Sequence, residues 1–198
     1  MGVVKLSTAG IVNYEKYSNL RAGIPLPSGT FELLETQVLD SSAASVTFSS
    51  LSTYAADYQH LQIRGVARIT TTPATLGVGM IRLNGDTGSN YSRHFLYGSG
   101  SSVFSNASAS VSAMETFNAS TSSNPAGEFA PFVVDILDPF ETTKYPTLRT
   151  LMGAASRIGL QSGSWRNTAA INEILIYEIF GSSYAIGSRF SLYGIKAA

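Results

Sequence analysis

The side chains able to do chemistry are few. The chain holds two histidines and no cysteine, so a nucleophile, base and acid arrangement has little to draw on. His60 stands at the start of a strand-like segment and His94 inside another, beside Arg93. Neither adjoins a nucleophile motif: Gly98-Ser99-Gly100 lacks the spacing of a nucleophile elbow and the strand-to-helix turn that exposes its serine. Asp135 and Asp138, in VVDILDPF, are carboxylates at a spacing that acid-base work on a sugar could use. Turn chemistry explains them more simply, since Asp138-Pro139 starts a turn and Asp135 alternates with Val134 and Ile136 as a polar-face residue. Asn84, Asp86 and Ser89 in NGDTGSN offer oxygen atoms, but the loop lacks the calcium pattern and its distal glutamate. Trp165 with Arg166, near Tyr91, Phe95 and Tyr97 if their strands pair, would make a sugar-stacking platform. Aromatics at strand ends more often belong to a core or an interface. Phosphate-binding glycine loops do not occur. These residues point away from an enzyme, and no metal or cofactor is expected.

The elements that must position these residues read as strands. Segments 31–39, 45–48, 60–69, 76–84, 91–96, 129–137, 148–152, 158–161, 171–180 and 189–195 are short, β-branched or aromatic, and separated by small-residue turns. In 60–69, Leu61, Ile63, Ala67 and Ile69 alternate with Gln62, Arg64 and Arg68, which gives one buried and one wet face. Asn84 to Gly88 supplies residues that tolerate positive φ at a hairpin or tight loop, and is the clearest hairpin signal. From Gly98 to Asn124, Ser, Ala, Gly and Asn dominate, and the segment reads as a long decorated loop with one or two weak strands. Eight to ten strands without a long helix predict an all-β fold, an antiparallel β-sandwich or jelly roll.

Composition narrows the role. Lys plus Arg equals Asp plus Glu at 13 each, so no excess positive charge exists to neutralise a phosphate backbone, and nucleic acid is not an expected partner. Only 13% of residues are charged against 44% hydrophobic, which leaves little repulsion between copies and favours assembly. No apolar run approaches the roughly 20 residues that span a membrane, and the first ten residues lack the apolar core of a signal peptide. A soluble chain is expected, with no membrane partner.

The first 29 residues differ from the rest. Ile11, Tyr14, Tyr17 and Leu20 recur at helical spacing, which predicts a short helix over 11–20. Pro25, Pro27 and Gly29 then break any regular element. The domain organisation expected is an N-terminal arm and linker, 1–29, and a β-sandwich domain, 30–198. The arm either packs back on its own domain or docks on a neighbouring subunit. Val3, Leu6, Ile11, Tyr14, Tyr17 and Leu20 are the anchors expected for docking.

Several strings carry a resemblance: FELLETQVLDSSAASVTFSSL, YQHLQIRGVAR, IRLNGDTGSNYSRHFLYGSGSS, FVVDILDPFETTKYPTLRTLMG, LQSGSWRNTAAINEI and GSRFSLYGIK. Together they resemble small β-sandwich proteins and modules of tailed-bacteriophage virions, notably those infecting cyanobacteria, over residues 31–196. In that family the Asn84 to Tyr91 string, the string around Trp165 and the Gly187 to Gly194 string look like determinants of fold. The resemblance implies a virion structural protein made in the host cytoplasm. Foremost is a capsid decoration (cement) protein on the capsid exterior, with the major capsid protein and other copies of itself, as a trimer, for partners. The alternative is a tail or tail-fibre component that binds a host surface glycan. The chain shows no coiled-coil or repetitive shaft sequence, which favours decoration.

Overall fold

The computed structural model describes residues 30–71, 76–154 and 156–196. Within them the chain forms β1 (Phe31–Val38), β2 (Ser45–Phe48), β3 (His60–Ala67), β4 (Gly77–Leu83), β5 (Tyr91–Ser99) and β6 (Ser102–Val111). The second half supplies β7 (Met114–Ala119), β8 (Ala130–Leu137), β9 (Thr147–Ala154), β10 (Arg157–Trp165), β11 (Ile174–Glu178) and β12 (Arg189–Ile195). The pairings between these strands are all antiparallel, in an eight-stranded sheet of order β1-β12-β3-β8-β9-β10-β5-β6 and a four-stranded sheet of order β2-β11-β4-β7. The all-β architecture is that expected from the alternation, and its sheets face one another as in a β-sandwich. The arm and its helix, including Val3, Leu6, Ile11, Tyr14, Tyr17 and Leu20, lie outside the described residues.

Alternation builds the core. Leu61 and Ile63 of β3 and Phe132, Val134 and Ile136 of β8 turn inward to meet Ile81 and Leu83 of β4 and Ile174 and Ile176 of β11. Each such side chain contributes about 1.5–3 kcal/mol by leaving water. The two sheets are joined at the centre by Phe117 of β7 and Phe132 of β8, whose rings stack at 3.8 Å and 7°. The stack depends on two glycines. Gly65 is the cross-strand partner of Phe132 and Gly79 that of Phe117, and a Cβ on either would overlap the ring lying over it.

Two expectations are corrected. Asn84 and Gly85 do adopt left-handed backbone, at φ 49° and 65°, but the strands they join do not pair. β4 lies in the small sheet between β11 and β7, and β5 lies in the large sheet between β10 and β6. Turn chemistry dictates a reversal of the chain and leaves the choice of partner strand to distant residues. The segment 98–124 is mostly strand: Gly100, at φ 59°, turns β5 into β6, and β7 follows as a buried strand. Its Ser, Ala and Asn residues have weak strand preference. Pairing with β5 over its length, from Ser99↔Ser102 to Tyr91↔Val111, holds β6 in place.

Four strands border the sheets, and three are guarded against further pairing. β1 carries Glu32 and Glu35 and a register shift between Leu33 and Glu35. β2 has four residues. Along β7, Glu115 meets Arg93 of β5 at 2.7 Å and Asn118 accepts from Arg157 of β10 at 3.4 Å, so charged groups crowd that border. Burial pushes Glu115 up from the ordinary carboxylate range while Arg93 and Arg157 oppose the rise. Bulges, shortness and charge are the usual defences of a sheet edge. β6 differs, being ten residues long, uncharged, exposed at most positions on both faces and bulged only near its end, at Ser110.

Candidate functional site

Most residues singled out for chemistry serve the fold. Trp165 is 1% exposed, so it offers no platform for a sugar. Its indole lies near Tyr91 with ring centroids 6.3 Å apart, and its Nε1 donates to Asp86 Oδ2 at 2.7 Å. Asp86 also accepts from Asn90 Nδ2 and from the Gly88 N–H. These bonds, the one from Trp165 foremost, hold its carboxyl below the ordinary value of 3.8. The Tyr91 hydroxyl sits between the main chains of Leu83 and Asp86. Asn84 Oδ1 accepts the N–H groups of Asn172 and Glu173, and its Nδ2 donates to Ala170. NGDTGSN is therefore a joint that locks the crossing from β4 to β5 against β10 and the approach to β11. Its Asn84 Oδ1 and both Asp86 carboxylate oxygens accept hydrogen bonds within the protein. Among the described residues no group of three His, Asp or Glu side chains is arranged to hold a metal ion.

The carboxylates of VVDILDPF have separate partners. Asp135 accepts from Arg149 at 2.9 Å and Gln62 at 2.6 Å. Asp138 begins the turn after β8 at φ 51°, with Lys144 at 2.6 Å and its own N–H donating to His60 Nδ1 at 3.1 Å. The hydrogen bond from Lys144, aided by Gln59, holds the Asp138 carboxyl low. Phe95, Tyr97 and Phe104 form a partly exposed stack, with centroids 5.6 and 5.1 Å apart and Arg157 over Tyr97 at 4.0 Å. Phe95 and Tyr97 thus stay together as expected, but with Phe104 in place of Trp165.

The surface that stands out lies on the face of the large sheet turned away from the small one. Register aligns Val133, Leu151, Leu160 and Leu96 across β8, β9, β10 and β5, and Gly153, Ile158, Gly98 and Val103 in the next row. Leu96, Leu151, Leu160, Ile158 and Val103 are exposed, from 46% to 74%. A shallow apolar depression of about 270 Å³ runs between Pro131, Val133, Leu151 and Ile158. The polar neighbours are Arg149, Ser162 and His94, one row further along. Single exposed apolar residues are ordinary, but a contiguous patch on a regular sheet marks a contact surface. Sequence reasoning missed this patch, because nothing local tells that Leu151, Ile158 and Leu160 fall on the face of β9 and β10 turned away from the four-stranded sheet, while Leu148, Met152 and Trp165 fall on the buried face. The alternation of exposed Leu160 with buried Gln161 was the available signal.

No protein-family model matches the chain, and no curated protein matches it.

Proposed function

We propose that this chain is a structural protein of a tailed-phage particle, a decoration (cement) protein that docks on the shell of the major capsid protein and stabilises it. The observation that carries this reading is the exposed apolar patch on the outward face of the large sheet, built on rigid strands and rimmed by polar residues. A patch of this kind suits a flat, permanent contact better than a small-molecule site. The fold supports it too. With the hairpins β5–β6 and β9–β10 set aside, the remaining strands follow the orders 1-12-3-8 and 2-11-4-7, the double Greek key of a jelly roll. That architecture serves capsid and lectin domains alike, so the site has to decide between them. The chain acts without catalysis in this reading, and the arm, 1–29, adds contacts to a neighbouring subunit.

The test is reattachment. Purified chain is added to particles stripped of it, alongside a variant carrying Leu151→Glu and Leu160→Glu and a form lacking residues 3–21. Wild-type chain rebinds and raises the temperature at which shells open, while both altered forms bind at least roughly tenfold more weakly, since charge placed in an apolar contact must be desolvated. Equal binding by all three would remove the reading. The tail alternative has one observation in its favour, the partly exposed Phe95, Tyr97 and Phe104 stack with Arg157, which is suitable chemistry for a sugar ring. Retention on a host-glycan array that is lost with Tyr97→Ala would promote it.

A further inference from the structure

We infer that β6 is an interface edge that pairs with β6 of a second copy of this chain, joining two large sheets into one continuous sheet across a twofold axis. The inference goes beyond the function proposed above and rests on the edge strand's geometry and charge.

The contrast among the four borders carries it. Charge and a bulge guard β1, shortness guards β2, and Arg93, Glu115, Arg157 and Asn118 guard β7. β6 has ten residues, SVFSNASASV, with neither charge nor proline. Within the described residues no strand lies beyond it. An uncharged edge, regular from Ser102 to Ala109 and bulged only near its end at Ser110 (φ 62°), presents a row of main-chain donors and acceptors, which is a template for another strand. One of its N–H groups, that of Ala107, is taken by the neighbouring Asn106 Oδ1 at 2.8 Å. That local bond can exchange for one from a partner strand.

The choice of occupant follows from charge. A twofold contact sets a strand against itself, so every charged residue in it confronts its own kind or a close neighbour. Residues 99–113 contain no Asp, Glu, Lys, Arg or His, so two copies of β6 meet without repulsion. β1, with two glutamates, would oppose itself. The apolar side chains point the same way, because Val103 and Phe104 are exposed on opposite faces of β6, and a partner strand would shield them as cross-strand neighbours. Main-chain pairing supplies affinity, and these side chains fix the register. The product is a dimer, where the resemblance implied a trimer.

The experiment uses the full chain in solution, without particles. Mass is measured by light scattering across a dilution series for wild type, for Ser105→Lys with Ala107→Lys, and for Ser105→Thr with Ala107→Thr. The account predicts a wild-type dimer and an unchanged threonine variant. The lysine variant's dissociation constant rises roughly tenfold or more, because like charges then oppose across the axis, with its melting midpoint unmoved. A second readout guards against misfolding of that variant. Single cysteines placed in turn at Ser105, Asn106 and Ala107, in a chain without others, are oxidised, and at least one forms a disulfide-linked dimer. A monomeric wild type, a trimer indifferent to the lysines, or no cross-link at any of the three positions overturns the inference. Loss of association on deleting residues 3–21, with the lysine variant unaffected, assigns the contact to the arm and also overturns it. None of these outcomes bears on reattachment to particles, so the two proposals fail separately.

Discussion

At the scale of single residues, the joint around Asp86 decides more than any candidate for catalysis. Asp86→Ala strips the buried Trp165 N–H of its acceptor, and an unsatisfied buried donor costs about 1–3 kcal/mol. The variant should melt several degrees lower, with Trp165 fluorescence shifted to the red. The depressed carboxyl also sets a pH dependence. Its stabilisation is complete above the unfolded-state value and disappears as pH falls through the lower folded value, so acid titration of wild type should show a loss that Asp86→Ala lacks. At the other end of the scale, burial pushes the Tyr91 hydroxyl up to about 12 from 10.0. A group raised in this way stabilises below its unfolded value. That stability is lost as pH climbs from 10 through about 12, because ionisation favours the unfolded chain. Tyr91→Phe should be less stable at neutral pH by about 1–3 kcal/mol yet lose less between these limits, as alkaline unfolding would show. NGDTGSN was legible as a turn because asparagine and glycine advertise positive φ. That Asp86 grips Trp165 was not legible, since 79 residues separate them and only the fold brings them together.

At the scale of elements, the glycines opposite the central rings can be tested. Gly79→Ala drives a methyl into the Phe117 ring, and overpacking of this kind costs about 1–3 kcal/mol. Phe117→Ala leaves a cavity between the sheets and should cost about 3–5 kcal/mol. If chemical denaturation showed Gly79→Ala to be neutral, the close stacking of Phe117 and Phe132 would need revision. Strands with one buried face, such as β3 and β8, were legible from their period-two pattern. β6 was not, because a strand wet on both faces has no alternation to read and its Ser and Ala residues resemble those of loops. β7 was hidden by the same stretch, although Met114, Phe117 and Ala119 carried a partial core signal. Between β4 and β5 the turn was read correctly and the pairing was not, since partner choice is settled by residues far along the chain.

At the scale of the molecule, two unequal sheets give the protein its surfaces. Eight strands over four leave β6 beyond the small sheet's last strand, β7, and the large sheet carries an apolar patch on its outward face. The all-β class was legible from composition and strand length, whereas the unequal sheets were not, because nothing local announces that β9 and β10 extend the large one. The proposed assembly role draws on that outward patch and on a composition with little charge to keep copies apart. The most direct check of the decoration reading is the number of copies per particle, measured by calibrated mass spectrometry of purified virions against the major shell protein. The account predicts hundreds of copies, as a shell-covering protein requires, falling sharply when residues 3–21 are deleted. A count of a few to a few tens, unaffected by the deletion, would contradict it and place the protein in the tail.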